Sequence, residues 1–126
     1  MSKGVARTKM NLEKLRHYLL NKPQTVEEFP FDTVTLVVKV YNKMFALIST
    51  DVDPLRMNLK CLPEKAEVLR EHYDAIIPGY HMNKRHWNSL VIDGSLPEDL
   101  IFSLIDESYD LVVQGLPKCQ RALLGR

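Results

Sequence analysis

The segment Pro78–Asn88 reads PGYHMNKRHWN and gathers the densest set of chemically useful side chains in the chain. Gly79 after Pro78 favours a turn. Two strands meeting across Met82–Arg85 would carry Asn83, Lys84 and Arg85 to a hairpin tip, with Tyr80, His81, His86 and Trp87 around it. Amide and cationic donors interleaved with aromatics suit contact with phosphates and stacking on bases or sugars. A wing of this kind rides a nucleic-acid backbone or enters a groove. His81 and His86 would strengthen an anion contact as pH falls through the range where histidines ordinarily gain charge. The plainer assignment makes Lys84 and Arg85 solubilising residues and Trp87 a core residue.

Other chemistries find less in the sequence. There is no nucleophile elbow, no phosphate-cradling glycine loop and no His-Glu-x-x-His helix. His81 and His86 stand five apart, which fits no usual zinc pair. Cys61 follows Lys60, and a cationic neighbour lowers a thiol pKa. It also continues the apolar face of Leu55, Met57 and Leu59, so it is expected in the core. Cys61 and Cys119 form neither a zinc knuckle nor a redox pair, and a reducing cytoplasm is the simpler setting. Residues 93–110 hold six acids and no base. Asp106 and Asp110 are four apart and share a helix face, which reads as a solvated surface more than a metal site. No catalytic residue, metal site or cofactor is expected.

These side chains need a scaffold, and the hydrophobic pattern supplies one. Leu12, Leu15, Leu19 and Leu20 make an apolar stripe on a helix over Asn11–Asn21, which Pro23 stops. Thr33–Tyr41 and Met44–Thr50 read as strands joined by a tight turn at Asn42-Lys43. Leu55–Cys61 alternates as a half-buried strand. Pro63 opens a helix to about His72. Ile76–His81 and Trp87–Ile92 are further strands. Ser95-Leu96-Pro97-Glu98 has the capping-box pattern for a last helix that Gly115 and Pro117 end. The order α-β-β-β-α-β-β-α predicts an α+β fold: a two-layer sandwich, with an antiparallel sheet of about five strands and helices on one face. Val34, Leu36, Val38, Val40, Met57 and Leu59 then lie under the helices. Thr35, Lys39, Arg56, Asn58 and Lys60 line the other face. Lys39, in an otherwise apolar strand, is either a snorkelling lysine at a sheet edge or part of a basic face, together with Lys60.

The chain has 126 residues and a formal net charge of +1, with 45% hydrophobic and 26% charged residues. That length predicts one domain with a real core, and the composition excludes a fibrous or wholly disordered protein. No apolar run approaches the ~18 residues of a membrane span, and the basic N-terminus lacks the apolar stretch of a secretory signal. Residues 1–22 carry six bases against Glu13, so a near-neutral total conceals a dipolar molecule. Residues 1–10 read as a flexible basic arm, 11–121 as the domain and 122–126 as a loose tail.

The central motif, followed by Asp93-Gly94-Ser95-Leu96-Pro97, resembles the signature of the MmcQ/YjbR family. Phe29-Pro30-Phe31-Asp32, Lys39-Val40, Lys43-Met44-Phe45-Ala46, Leu59-Lys60-Cys61, Ser108-Tyr109-Asp110-Leu111-Val112 and Leu116-Pro117-Lys118 fit as well. The likeness runs from about Asn11 to Arg121. Asp32 stands where the family usually has glycine. The resemblance implies a fold similar to bacterial frataxin and to type III secretion chaperones, and a "double-wing" DNA-binding role. It implies a candidate nucleic-acid site of Lys39, Lys60, Tyr80, His81, Asn83, Lys84, Arg85, His86 and Trp87. The expected function is non-catalytic DNA binding by a cytoplasmic, bacterial, monomeric protein, mainly through phosphates and with little sequence readout. The alternatives are a protein-interaction module resembling a secretion chaperone and a small-ligand-binding domain. An exposed apolar patch would favour a protein partner, and a basic groove would favour DNA.

Overall fold

A computed structural model of the protein describes residues 10–126. Residues 1–9, most of the stretch read as a basic arm, lie outside the described residues, and Met10 packs against the core. The order is α1 (Leu12–Leu20), β1 (Thr25–Glu28), β2 (Thr35–Val40), β3 (Lys43–Ser49), β4 (Leu55–Lys60), α2 (Pro63–His72), β5 (Ile76–Pro78), β6 (Trp87–Ile92), α3 (Glu98–Gln114) and α4 (Lys118–Leu123). The strands form one sheet in the order β1-β2-β3-β4-β6-β5, with every neighbouring pair antiparallel. The α+β architecture is as expected, with a sixth strand and a fourth helix added.

Both additions have weak local signals. β1 is TVEE, four residues with two glutamates, and only its pairing with β2 makes it a strand. α4 is six residues with no buried side chain. Of the segment read as a loose tail, Leu124 packs against the core and Arg126 pairs with Asp110 at 2.9 Å.

The helices cover one face. Asn11 caps α1 by accepting the Lys14 amide at 2.8 Å, and Leu15 and Leu19 are wholly buried. They meet Leu36, Val38, Val40, Met57 and Leu59 from the sheet and Ile101, Leu104 and Ile105 from α3 in one core cluster. Val34, expected in that set, precedes β2 and is only partly buried. The β2–β3 turn is Tyr41-Asn42, both with positive φ (45° and 68°), and Lys43 belongs to β3. The mirror-image turn matches strand twist, and so displaces the expected Asn42-Lys43 pair by one residue.

Two expected boundaries move. The Ser95 hydroxyl donates to Asp93 Oδ1 at 2.6 Å, and its amide donates to the same oxygen at 2.9 Å. Ser95 is thereby spent on a turn at Gly94, and α3 starts three residues later with no side-chain cap. β5 ends at Pro78, not His81, because the chain leaves the sheet at Gly79.

Candidate nucleic-acid interface

The face without helices is not wholly polar. Val37, Leu47 and Trp87 are buried there in a second, small cluster, against Met44 and Met82. Trp87 is 8% exposed, so it anchors the Gly79–His86 loop and offers little stacking surface. Gly79 is required by close approach: a Cβ there would lie 2.7 Å from Trp87 Cβ and 2.8 Å from Trp87 O. The Gly79 amide donates to that oxygen at 2.9 Å.

Tyr80 is then held by backbone. Its amide donates to Ser89 Oγ at 2.9 Å, and its carbonyl accepts from Asn58 Nδ2 at 3.0 Å. The Ser89 hydroxyl closes the ring by donating to Asn58 Oδ1. The Tyr80 side chain stays 52% exposed. The Arg56 guanidinium sits 5.3 Å from its ring centroid and the His81 ring 4.0 Å away, both within range of a cation–π or aromatic contact. His81 holds a left-handed φ of 60°.

The second half of the loop turns toward α2. Lys84 Nζ donates to Gly79 O at 3.1 Å, closing the loop on itself. Arg70 Nη1 donates to Lys84 O at 3.2 Å and to Asn88 Oδ1 at 2.8 Å, and Asn88 Nδ2 donates to Ala66 O at 3.3 Å. Asn83 Oδ1 accepts the Arg85 amide at 2.9 Å, a local turn bond. Arg85 lies with Lys84 beside Glu64 and Glu67 of α2. The His86 carbonyl accepts the Cys61 amide at 2.8 Å, which sets Arg85 and His86 next to Lys60 at the end of β4.

The expected group is thus divided. Tyr80 and His81 lean over the open sheet face, whereas Asn83, Lys84 and Arg85 follow the α2 edge rather than a free hairpin tip. Lys39 is on the open face but pairs with Glu28 at 2.7 Å, with only 15% of its side chain exposed. That is the snorkelling arrangement at the strand beside the sheet edge. Lys60 keeps its place on the open face, opposite Trp87 in the β4–β6 register. Sequence reasoning placed Arg56 and Asn58 on this face but not in the site. Their part depends on the loop folding over β4, which no local pattern reveals.

Nearby carboxylates and the thiol are accounted for structurally. Asp32 accepts the amides of Thr35 at 2.6 Å and Val34 at 3.0 Å, and the Thr35 hydroxyl at 3.0 Å. Those bonds hold its carboxyl below the usual range and give this residue a turn-building role. Burial, with a smaller push from Glu107, raises the Cys61 thiol, so the thiolate is disfavoured at neutral pH. Among the described residues no group of three or more His, Cys, Asp or Glu is placed to hold a metal ion, and no helix is long and apolar enough to cross a membrane.

Comparison with known proteins places this arrangement. The uncharacterized protein YjbR of Escherichia coli is 35% identical over 115 residues, covering 91% of this chain and 98% of that protein. YyaQ of Bacillus subtilis is 47% identical over 55 residues, 44% of this chain and 46% of YyaQ. A crystal structure of a Deinococcus radiodurans protein superposes with a TM-score of 0.85 at 43% identity, covering 90% of this chain and 87% of that one. A Pseudomonas syringae protein superposes at 0.71 and 29%, covering 81% and 98%. The YjbR family model matches residues 20–111, which span all six strands and the loop that divides the site. With the fold, the loop and the aligned length in agreement, the chain belongs to the YjbR family.

Proposed function

We propose that the protein binds DNA without catalysis, mainly through phosphates and with little sequence readout. The contact surface is the open sheet face along β4 and the adjoining Gly79–His86 loop. The observation that carries this reading is the distribution of ion pairs. Lys14, Arg16, Lys22, Lys39, Lys65 and Arg126 each face a carboxylate. Lys43, Arg56, Lys60, Arg70, Lys84, Arg85, Lys118 and Arg121 are in no ion pair among the described residues, and of these Arg56, Lys60 and Arg85 lie along β4 and the Gly79–His86 loop. Cations left without a protein partner gain most from an anion, and a run of phosphates releases counterions as it binds them. Tyr80, His81 and Asn58 supply the aromatic and amide surface between those charges.

Fluorescence anisotropy with mixed-sequence DNA at several salt concentrations tests this. Affinity should fall steeply with salt. An Arg56→Ala/Lys60→Ala variant should bind all sequences more weakly, with a log–log slope shallower by about 1.4–1.8, two phosphate contacts. No binding at low salt by folded protein would refute the proposal.

A protein partner is the second reading. Val26, Phe29 and Phe31 are 53%, 49% and 65% exposed along edge strand β1 and the segment after it. An extended peptide could add to that edge and cover them.

A further inference from the structure

The open face carries a recess of about 590 Å³, within the 300–1,000 Å³ span of small-ligand sites. We infer that it receives one unpaired nucleobase, so that the DNA bound is single-stranded. This rests on the DNA-binding reading above and specifies its substrate.

The recess is shaped for a flat, partly polar group. Leu47 and Met44 give it an apolar floor. Tyr80, with Arg56 on its ring, stands on the β6 side, and Phe31, 65% exposed, lies on the β2 side. Planar rings and a guanidinium are the surfaces on which bases stack. The Tyr80 backbone is held by two hydrogen bonds, one from Asn58 and one to Ser89, and those two side chains are bonded to each other. The next residue, His81, is held at φ 60°, a left-handed conformation that a non-glycine residue keeps where its surroundings impose it.

The recess is of mixed charge: Asp32, engaged by Val34 and Thr35, and Asp51 line it together with Arg56, and Lys60 stands outside it, four residues on along the same face of β4. A base seated between Tyr80 and Phe31 would thus bring its phosphates to cations that lack a carboxylate partner. An apolar peptide side chain would leave those cations unanswered. A duplex cannot reach the floor without unpairing and extruding a base, whereas a single strand offers bases freely.

The test compares three probes with the native protein: a short mixed-sequence single strand, the same sugar-phosphate strand lacking its bases, and the matching duplex. The intact strand should bind about tenfold or more tightly than either of the others. Phe31→Ala, at an exposed position, should remove most of that advantage while leaving the salt slope unchanged. If the baseless strand binds as well as the intact one, with salt-sensitive binding retained, the base site is wrong and the DNA reading stands. If the duplex binds as tightly as the strand, the base site is likewise overturned. If none of the probes binds, the DNA reading itself fails and the base site falls with it.

Discussion

Arg56 and Tyr80 show how single residues acquire a role from their neighbours. Arg56 reads as one charge among many in the sequence, yet it is the cation placed over an exposed tyrosine. Lys84, by contrast, sits in the most suggestive stretch of the chain and spends its ammonium on Gly79 O. Lys84→Ala should therefore weaken DNA binding less than Arg56→Ala, by a factor measurable in parallel anisotropy titrations. Equal losses would place the contact at the loop's α2 edge instead. The cysteines give a second check at this scale. Cys61 is buried with its thiol pKa raised, and Cys119 is exposed. A thiol reagent should label one cysteine rapidly in the native protein and the second only on unfolding. Cys61 was legible as a core residue because it extends a clean alternation. The ion pair of Lys39 with Glu28 was not, because β1 has no pattern of its own.

At the scale of elements, backbone hydrogen bonding decides what hydrophobic pattern leaves open. The β3–β4 ladder runs only to Ala46 and Leu59. Ser108 of α3 continues it, donating to Phe45 O at 2.6 Å and accepting the Lys60 amide at 2.9 Å, with no exposure of its own. Ser108→Ala would orphan both groups and should destabilise the fold by about 1–3 kcal/mol for each one left dry, read from urea unfolding. A loss under about 0.5 kcal/mol would show that water replaces the hydroxyl. Gly79→Ala should cost about 1–3 kcal/mol by forcing the loop off Trp87, and Trp87 emission should shift with it. The strands β2, β3, β4 and β6 were readable because their buried residues alternate or run together. The α3 start was misread because Asp93 competes for Ser95, a choice the capping-box pattern does not encode.

For the whole molecule, the near-zero net charge is the sum of an engaged side and an unengaged one. Four of the five acids of α3 are met from elsewhere: Glu98 by Lys14, Asp106 by Lys22, Glu107 by Lys65 and Asp110 by Arg126. Much of the charge on α1 and α3 is therefore met within the protein, whereas Arg56, Lys60 and Arg85 stand by the open face and its loop in no ion pair among the described residues. Acid should undo part of this order. The Arg16 side chain, through its hydrogen bonds and charge, holds Glu27 below the usual carboxylate range; bonds from Thr35 and Val34 do so for Asp32, and bonds from Ser95 for Asp93. Their folded pKa values are lowered, so their contribution is present above the ordinary carboxylate pKa of about 4 and is lost as pH falls below it. The urea midpoint should hold steady near neutrality and drop below about pH 4.5. Glu27→Gln should reduce that drop; an unchanged profile would mean that other groups govern it.

The most direct test of the open-face interface is an amide-resolved NMR titration of the protein with a short mixed-sequence single strand at low salt. The expected result is shift changes concentrated at Arg56–Lys60 and Tyr80–Trp87, reversed by added salt, with α1 and α3 unmoved. Changes centred on the helical face, or none at all, would contradict the interface proposed for this protein.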